Sequence, residues 1–228
     1  MRKIIVLIFL GFVIVIAAPF NTLPAYSMPQ GSGFIGLSAP VQVPFEGGVS
    51  ASPQLWAGYG ILPHFDVTCM LGSDISNGHF SLTDAMIEFR YATLGYEDVV
   101  ARDHFVFAPV IDFYVPTSSG DSWAVGPGAL VTGNFGFWQL HANLFTYLPF
   151  DTSGMLILFL SPELPLGTDF SLFTELNAFY DLGEAQLFFE FWPEVSWEPR
   201  DWFSANLACG IPVTFDYFSP GIAAYLMF

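Results

Sequence analysis

Residues 122–150 contain no acidic or basic side chain for 29 positions, long enough to cross a bilayer as a helix, yet the interior of this stretch rules a helix out. From Phe137 it reads Phe-Trp-Gln-Leu-His-Ala-Asn-Leu-Phe-Thr-Tyr-Leu, with Gln139, His141 and Asn143 alternating with Trp138, Leu140, Ala142 and Leu144. On a helix these three polar groups would fan around the axis in steps of about 200°, leaving some unpaired in lipid. On a strand they all point one way, which is the reading that satisfies them.

The same period recurs. Asp84, Met86, Glu88 and Arg90 alternate with Ala85, Ile87, Phe89 and Tyr91. Asp112 and Tyr114 oppose Phe105, Phe107, Ile111, Phe113 and Val115, and Gln186, Glu190, Glu194 and Ser196 oppose Leu187, Phe189, Phe191, Val195 and Trp197. Ser204 and Asn206 stand against Phe203, Leu207, Cys209 and Ile211. In a water-soluble sheet the apolar face is the inner one. Here it is too aromatic and too continuous for that, and charged residues are only 11% of the chain where a soluble domain carries roughly a quarter. Apolar to lipid and polar to a lumen is the pattern of an outer-membrane barrel.

Turn signals divide the chain into about twelve antiparallel strands, over 33–45, 49–62, 65–76, 83–96, 103–117, 123–133, 137–149, 154–166, 169–182, 184–198, 202–215 and 217–228. Ten is the alternative count, because Pro40, Pro44 and Pro127 interrupt the first and sixth segments. The connectors at 62–65, 133–136, 167–169 and 198–201 read as periplasmic turns. Those at 76–79, 117–121 and 151–154 face outside and are short. Glu97-Asp98 and Arg102-Asp103 read as a solvated periplasmic turn. Trp123, Trp138, Trp197 and Trp202 fall near strand ends, where aromatic girdles sit. Phe228 ends an amphipathic strand as an aromatic of the kind read by the outer-membrane assembly machinery, which would be one partner, outer-membrane lipid being the other.

The N-terminus reads as an export signal. Arg2 and Lys3 precede an apolar run over residues 4–18, and Ala25 and Ser27 fill the −3 and −1 positions of a peptidase site. Cleavage is expected after Ser27, with a cut near Ala17 or Ala18 as the rival, so that residues 1–27 are the signal and 28–228 the barrel. Loss of Arg2 and Lys3 moves the net charge from −16 to −18. Such an anionic chain excludes nucleic acid as a partner. Cys69 and Cys209 are too few for a disulfide scaffold.

The run Ile87-Glu88-Phe89-Arg90-Tyr91, then Phe113-Tyr114-Val115-Pro116-Thr117, a Ser/Gly-rich loop, a Gly-rich return strand and the strand at 137–144 resembles the outer-membrane proteins of the meta-pathway phenol-degradation type. That resemblance implies a small barrel transporting aromatic compounds.

By parity the lumen holds Asp66, Asp84, Glu88, Arg90, Asp112, His141, Asn143, Glu175, Asn177, Glu190 and Glu194. A barrel of this size has a narrow or side-chain-filled interior, in which Arg90 either pairs with a nearby acid and braces the wall or sits in a cation-favouring constriction of carboxylates. His141 and Asn143 evoke a barrel lipase, but no Ser stands beside them and no Gly-x-Ser-x-Gly occurs. The four histidines lie in different segments without metal spacing, and no phosphate-cradling glycine motif is present. Neither a metal, a cofactor nor a catalytic residue is expected. The first expectation is a passive channel or uptake barrel for small solutes, hydrophobic or aromatic ones if the resemblance extends that far. A closed structural barrel comes next and a lipid-modifying enzyme last.

Overall fold

The computed structural model describes residues 23–95, 104–117 and 122–228, without the side chain of Asp84. Most of the export signal, the charged turn at 97–103 and the loop at 118–121 lie outside the described residues. Fourteen strand segments follow one another: β1 (Gly33–Ser38), β2 (Val41–Pro44), β3 (Ser50–Ala51), β4 (Gln54–Leu62), β5 (Phe65–Ser76), β6 (His79–Tyr91), β7 (Phe105–Val115), β8 (Ala124–Asn134), β9 (Gln139–Pro149), β10 (Met155–Pro165), β11 (Phe170–Asp181), β12 (Gln186–Arg200), β13 (Phe203–Pro212) and β14 (Tyr217–Met227). β1 with β2 make one interrupted wall strand and β3 with β4 another, so the wall is a closed antiparallel barrel of 12 strands. Each wall strand pairs with its neighbours in sequence, and the sheet closes where β1 meets β14, Phe34 opposite Met227 and Ser38 opposite Ala223. No described helix is long and apolar enough to cross a membrane.

Prolines cause the two interruptions without opening the ladder. Proline brings no N–H, and each break is bridged by a neighbour. The Ala39 N–H reaches the Ile222 carbonyl at 2.6 Å, Ser52 donates to the Pro40 carbonyl at 2.9 Å, and Ser73 to the Pro53 carbonyl at 2.9 Å. Pro44 and Pro127 likewise lie inside wall strands, which removes the ten-strand alternative. β6 starts four residues before the expected 83 because Asn77 and Gly78 both take positive φ (52° and 79°), the geometry of a two-residue hairpin turn that keeps the pairing going.

Alternation sorts the side chains. Leu37, Tyr59, Phe107, Phe113, Leu144, Leu176 and Phe191 face out and are exposed. Rings join across strands on this outer face, Phe65 to Phe89 to Phe113 at 6.4 and 6.1 Å, and Phe170 to Trp197 to Phe203 at 6.5 and 6.0 Å. Trp123, Trp197 and Trp202 are also exposed. The inward face carries the buried polar residues.

Leu176 projects outward from the middle of β11. Leu176→Arg is expected to destabilise the barrel by about 2–4 kcal/mol, the cost of a cation on a mid-bilayer lipid face. Urea unfolding in lipid vesicles, followed by tryptophan fluorescence, measures it; an unchanged midpoint would contradict the outward assignment.

Candidate functional site

The strongest side-chain cluster in the bore grows from the register of β5, β6 and β7. Asp66 stands opposite Arg90, Thr68 opposite Glu88, and Glu88 opposite Asp112. Residues two apart on a strand share a face, so Glu88 and Arg90 both point inward, and all four charged groups are buried. Arg90 Nη2 donates to Glu88 Oε1 at 2.8 Å and Nε to the same oxygen at 3.2 Å, while Asp66 Oδ1 lies 3.4 Å from Nε. The remaining nitrogen, Nη1, donates to the backbone carbonyls of Pro24 (3.0 Å) and Tyr26 (3.2 Å). A buried guanidinium needs such a full set of acceptors to offset its desolvation. Tyr114 makes a long 3.5 Å contact to Asp112 Oδ2 and meets Tyr147 edge-on at 4.9 Å between centroids.

Those two carbonyls belong to the segment that precedes β1. Residues 23–28 lie against the inner face of β5–β8, at the end of the barrel where β1 begins and β14 ends. The Ala25 N–H donates to Thr132 Oγ1 (2.9 Å) and that of Met28 to Asp66 Oδ2 (2.9 Å), and Ser27 forms a bridge to Gly95. Ala25 is 0% exposed and sits in an apolar cluster with Ala92, Val106, Ala108 and Leu130.

A second polar group spans β8 to β13. His141 Nδ1 meets Thr132 Oγ1 at 2.9 Å, and Nε2 meets Glu163 Oε2 at 3.1 Å; Ser171 donates to Glu163 Oε1 at 2.7 Å. Asn206 donates to Glu194 Oε1 at 2.9 Å and accepts from Ser196 at 2.8 Å. Thr132 Oγ1 accepts from the Ala25 N–H and meets one ring nitrogen of His141, while the other ring nitrogen faces Glu163. A hydroxyl, an imidazole and a carboxylate in line have the outline of nucleophile activation. Thr132, however, is 0% exposed and its oxygen is already held by a backbone amide, so no substrate carbonyl reaches it. Among the described residues no group of three or more His, Cys, Asp and Glu could hold a metal ion.

Three rings line one side of the bore on the adjacent strands β9, β10 and β11, Phe145 to Phe159 at 6.1 Å and Phe159 to Phe179 at 5.9 Å. Asn143 and Asn177 flank Phe159 in register. Both are 0% exposed, and their amides have no protein partner among the described residues. Toward the opposite end of the barrel lie two cavities. One, of about 260 Å³, is lined by Gln42, Gln54, Glu190, Trp192, Tyr217 and Ser219. There Glu190 accepts from Trp192 Nε1 at 2.9 Å and from the Tyr217 hydroxyl. The other, of about 240 Å³, includes Tyr147, Asp151 and Asp181.

Of the residues singled out in the sequence, Asp66, Glu88, Arg90 and Asp112 come together. His141 joins Glu163 instead of Asn143, and Glu175, Glu190 and Glu194 stand on β11 and β12, on the far wall of the barrel from Arg90. Thr132, Glu163, Ser171 and the segment 23–28 had not been anticipated. Ser161 and Glu163 do share the inward parity of β10, a signal that Pro162 and Pro165 obscured.

No protein-family profile matches the chain, and neither does any curated protein sequence. Solved structures do. An outer membrane channel from Pseudomonas putida F1 superposes with a TM-score of 0.66 at 10% identity, covering 93% of this chain and 100% of that one. The KdgM porin gives 0.62 at 8% identity over 85% of this chain and 99% of its own. A second KdgM porin structure, in complex with disordered oligogalacturonate, gives 0.62 at 10% identity over 86% and 99%. The fold is that of the outer-membrane barrels.

Removing the Arg90 guanidinium strands two buried carboxylates. Arg90→Ala is expected to cost about 3–5 kcal/mol, as loss of one partner of a buried pair does, whereas the double change Arg90→Met with Glu88→Leu recovers much of the loss. Urea titration of the three proteins in vesicles tests the pairing; equal losses in single and double variants would refute it.

Proposed function

We propose that this chain resides in the outer membrane of a Gram-negative cell and passes small neutral or cationic solutes, anionic ones being disfavoured. The observation that carries the reading is the sign of the interior. Asp66, Glu88, Asp112, Glu163, Glu175 and Glu194 face inward and Arg90 is their single guanidinium counter-charge among the described residues. Glu88 and Asp66 already neutralise that cation. Carboxylates along a narrow low-dielectric path raise the local cation concentration and repel anions. Oligogalacturonate, bound by one of the similar porins, is a polyanion, and a bore of this charge is unsuited to it. The likeness to porin and channel structures supports passage of solute over catalysis.

The row of rings of Phe145, Phe159 and Phe179 on the inner wall favours flat or apolar solutes, in line with the resemblance to aromatic-compound transporters. The inward candidates Asp66, Glu88, Arg90, Asp112, His141, Asn143, Glu175, Glu190 and Glu194 are in this reading the path that the solute follows. A closed barrel is the second reading, favoured by the segment against the inner face of β5–β8. Phe228 fits the role of assembly signal. It is 73% exposed, while its backbone exchanges two hydrogen bonds with Gly33, at 2.7 and 2.9 Å, so the terminal residue closes the seam with its ring free.

In planar bilayers under a KCl gradient, the expected current is cation-selective, and Glu190→Gln with Glu194→Gln moves the reversal potential toward zero. Anion selectivity, or a potential indifferent to both substitutions, would overturn the electrostatic reading.

A further inference from the structure

We infer that the mature chain keeps residues 23–27, so that signal peptidase cuts upstream, after Ala17 or Ala18, and that the kept segment is a plug latched by Arg90. The sequence offers both cuts. Ala25 and Ser27 fill the −3 and −1 positions of one; Val15 with Ala17, or Ile16 with Ala18, fill those of the other. Site preference alone leans to the first. The fit between this segment and the barrel wall points to the second.

Every residue from 23 to 27 meets the bore. Leu23 and Tyr26 pack on the cluster that contains Ala25, Ala92, Val106, Ala108 and Leu130. Pro24 and Tyr26 offer Arg90 Nη1 the only two acceptors it has among the described residues. Ala25 donates to Thr132, the Tyr26 hydroxyl lies 3.0 Å from His104 Nε2, and Ser27 bridges to Gly95. A leader is removed before the barrel closes, so a discarded tail has no reason to complement an interior that it never sees. The wall itself asks for a cover. Val106, Ala108 and Leu130 point into the lumen and are all 0% exposed, the part of the inner apolar cluster that Ala25, Leu23 and Tyr26 pack on. With residues 23–27 gone it would line a water-filled mouth, and Arg90 Nη1 would lose both of its acceptors.

The Met28 contact does not separate the two cuts. Cleavage after Ser27 would turn its nitrogen into an ammonium facing the same Asp66 oxygen, now 2.9 Å away. The upstream contacts carry the argument. Nor does the enclosure of Ser27 protect it, since the peptidase meets the chain unfolded.

A retained segment lies against the inner wall and is held there by one guanidinium. Arg90 is a positioning residue for the plug, joining it to the wall through Glu88 and Asp66. This part rests on the channel reading above; the processing assignment does not.

The test starts with the full chain expressed in a Gram-negative host and the protein purified from outer membranes. N-terminal sequencing and intact mass are expected to give a chain starting at Ala18 or Pro19; a chain starting at Met28 overturns the inference. Planar-bilayer recording then compares this protein with a variant lacking residues 19–27 and with Arg90→Gln, each first shown to be folded by its heat-modifiable gel mobility. The deletion is expected to raise single-channel conductance several-fold, and Arg90→Gln to produce flicker between the two levels. If Arg90→Gln fails to fold, the deletion decides alone. Equal conductance of deletion and parent overturns the plug. Silence from every variant, with the N-terminus at Ala18 or Pro19, sinks the channel reading and leaves the processing assignment standing.

Discussion

A strand that faces lipid has no water to satisfy its amides, so every backbone N–H and C=O in the wall must find another strand. Closure of the sheet is the condition on which the rest of this protein depends. The seam between β1 and β14 meets it down to the last residue, where Gly33 and Phe228 exchange hydrogen bonds. The same condition explains why prolines at 40 and 53 are harmless: each coincides with a break whose neighbouring carbonyls are taken up by Ser52 and Ser73. Once the edges are gone, the outer face is free to be almost wholly apolar.

Closure also creates the interior problem. Polar side chains that alternate with the lipid-facing ones are driven together in a tube too narrow to hydrate them fully, and the chain has few cations with which to compensate. It uses one. Arg90 draws in Glu88, Asp66 and two carbonyls of the N-terminal segment, while Glu163 and Glu194 are held by His141, Ser171 and Asn206. The resulting interior is rich in carboxylates, carries the rings of Phe145, Phe159 and Phe179 on one side, and has residues 23–28 against β5–β8.

Much of this was legible in one dimension. The alternation around Gln139, His141 and Asn143, and around Glu88 and Arg90, located the wall strands to within a few residues, because a period of two is a local property of extended backbone. The start of β6 was missed because the hairpin at Asn77-Gly78 wastes no residues. Thr132 and Ser171 escaped notice because a small hydroxyl on a strand is unremarkable until its cross-strand partner is known; Glu163 was masked by the prolines beside it. Residues 23–27 were read only as the end of a leader, since their composition suits one and nothing in it foretells the wall they touch.

Which side chains face lipid and the sign of the chain's charge follow from residue order alone, since each depends on spacing and composition, whereas the choice between ten and twelve strands was made by the pairing of the proline-interrupted segments. Which inward groups become neighbours was decided by the fold. His141 meets Glu163 on the adjacent strand and Arg90 meets the carbonyls of residues 24 and 26 because antiparallel register and the path of the segment before β1 bring them together. Those are quantities that no local pattern encodes.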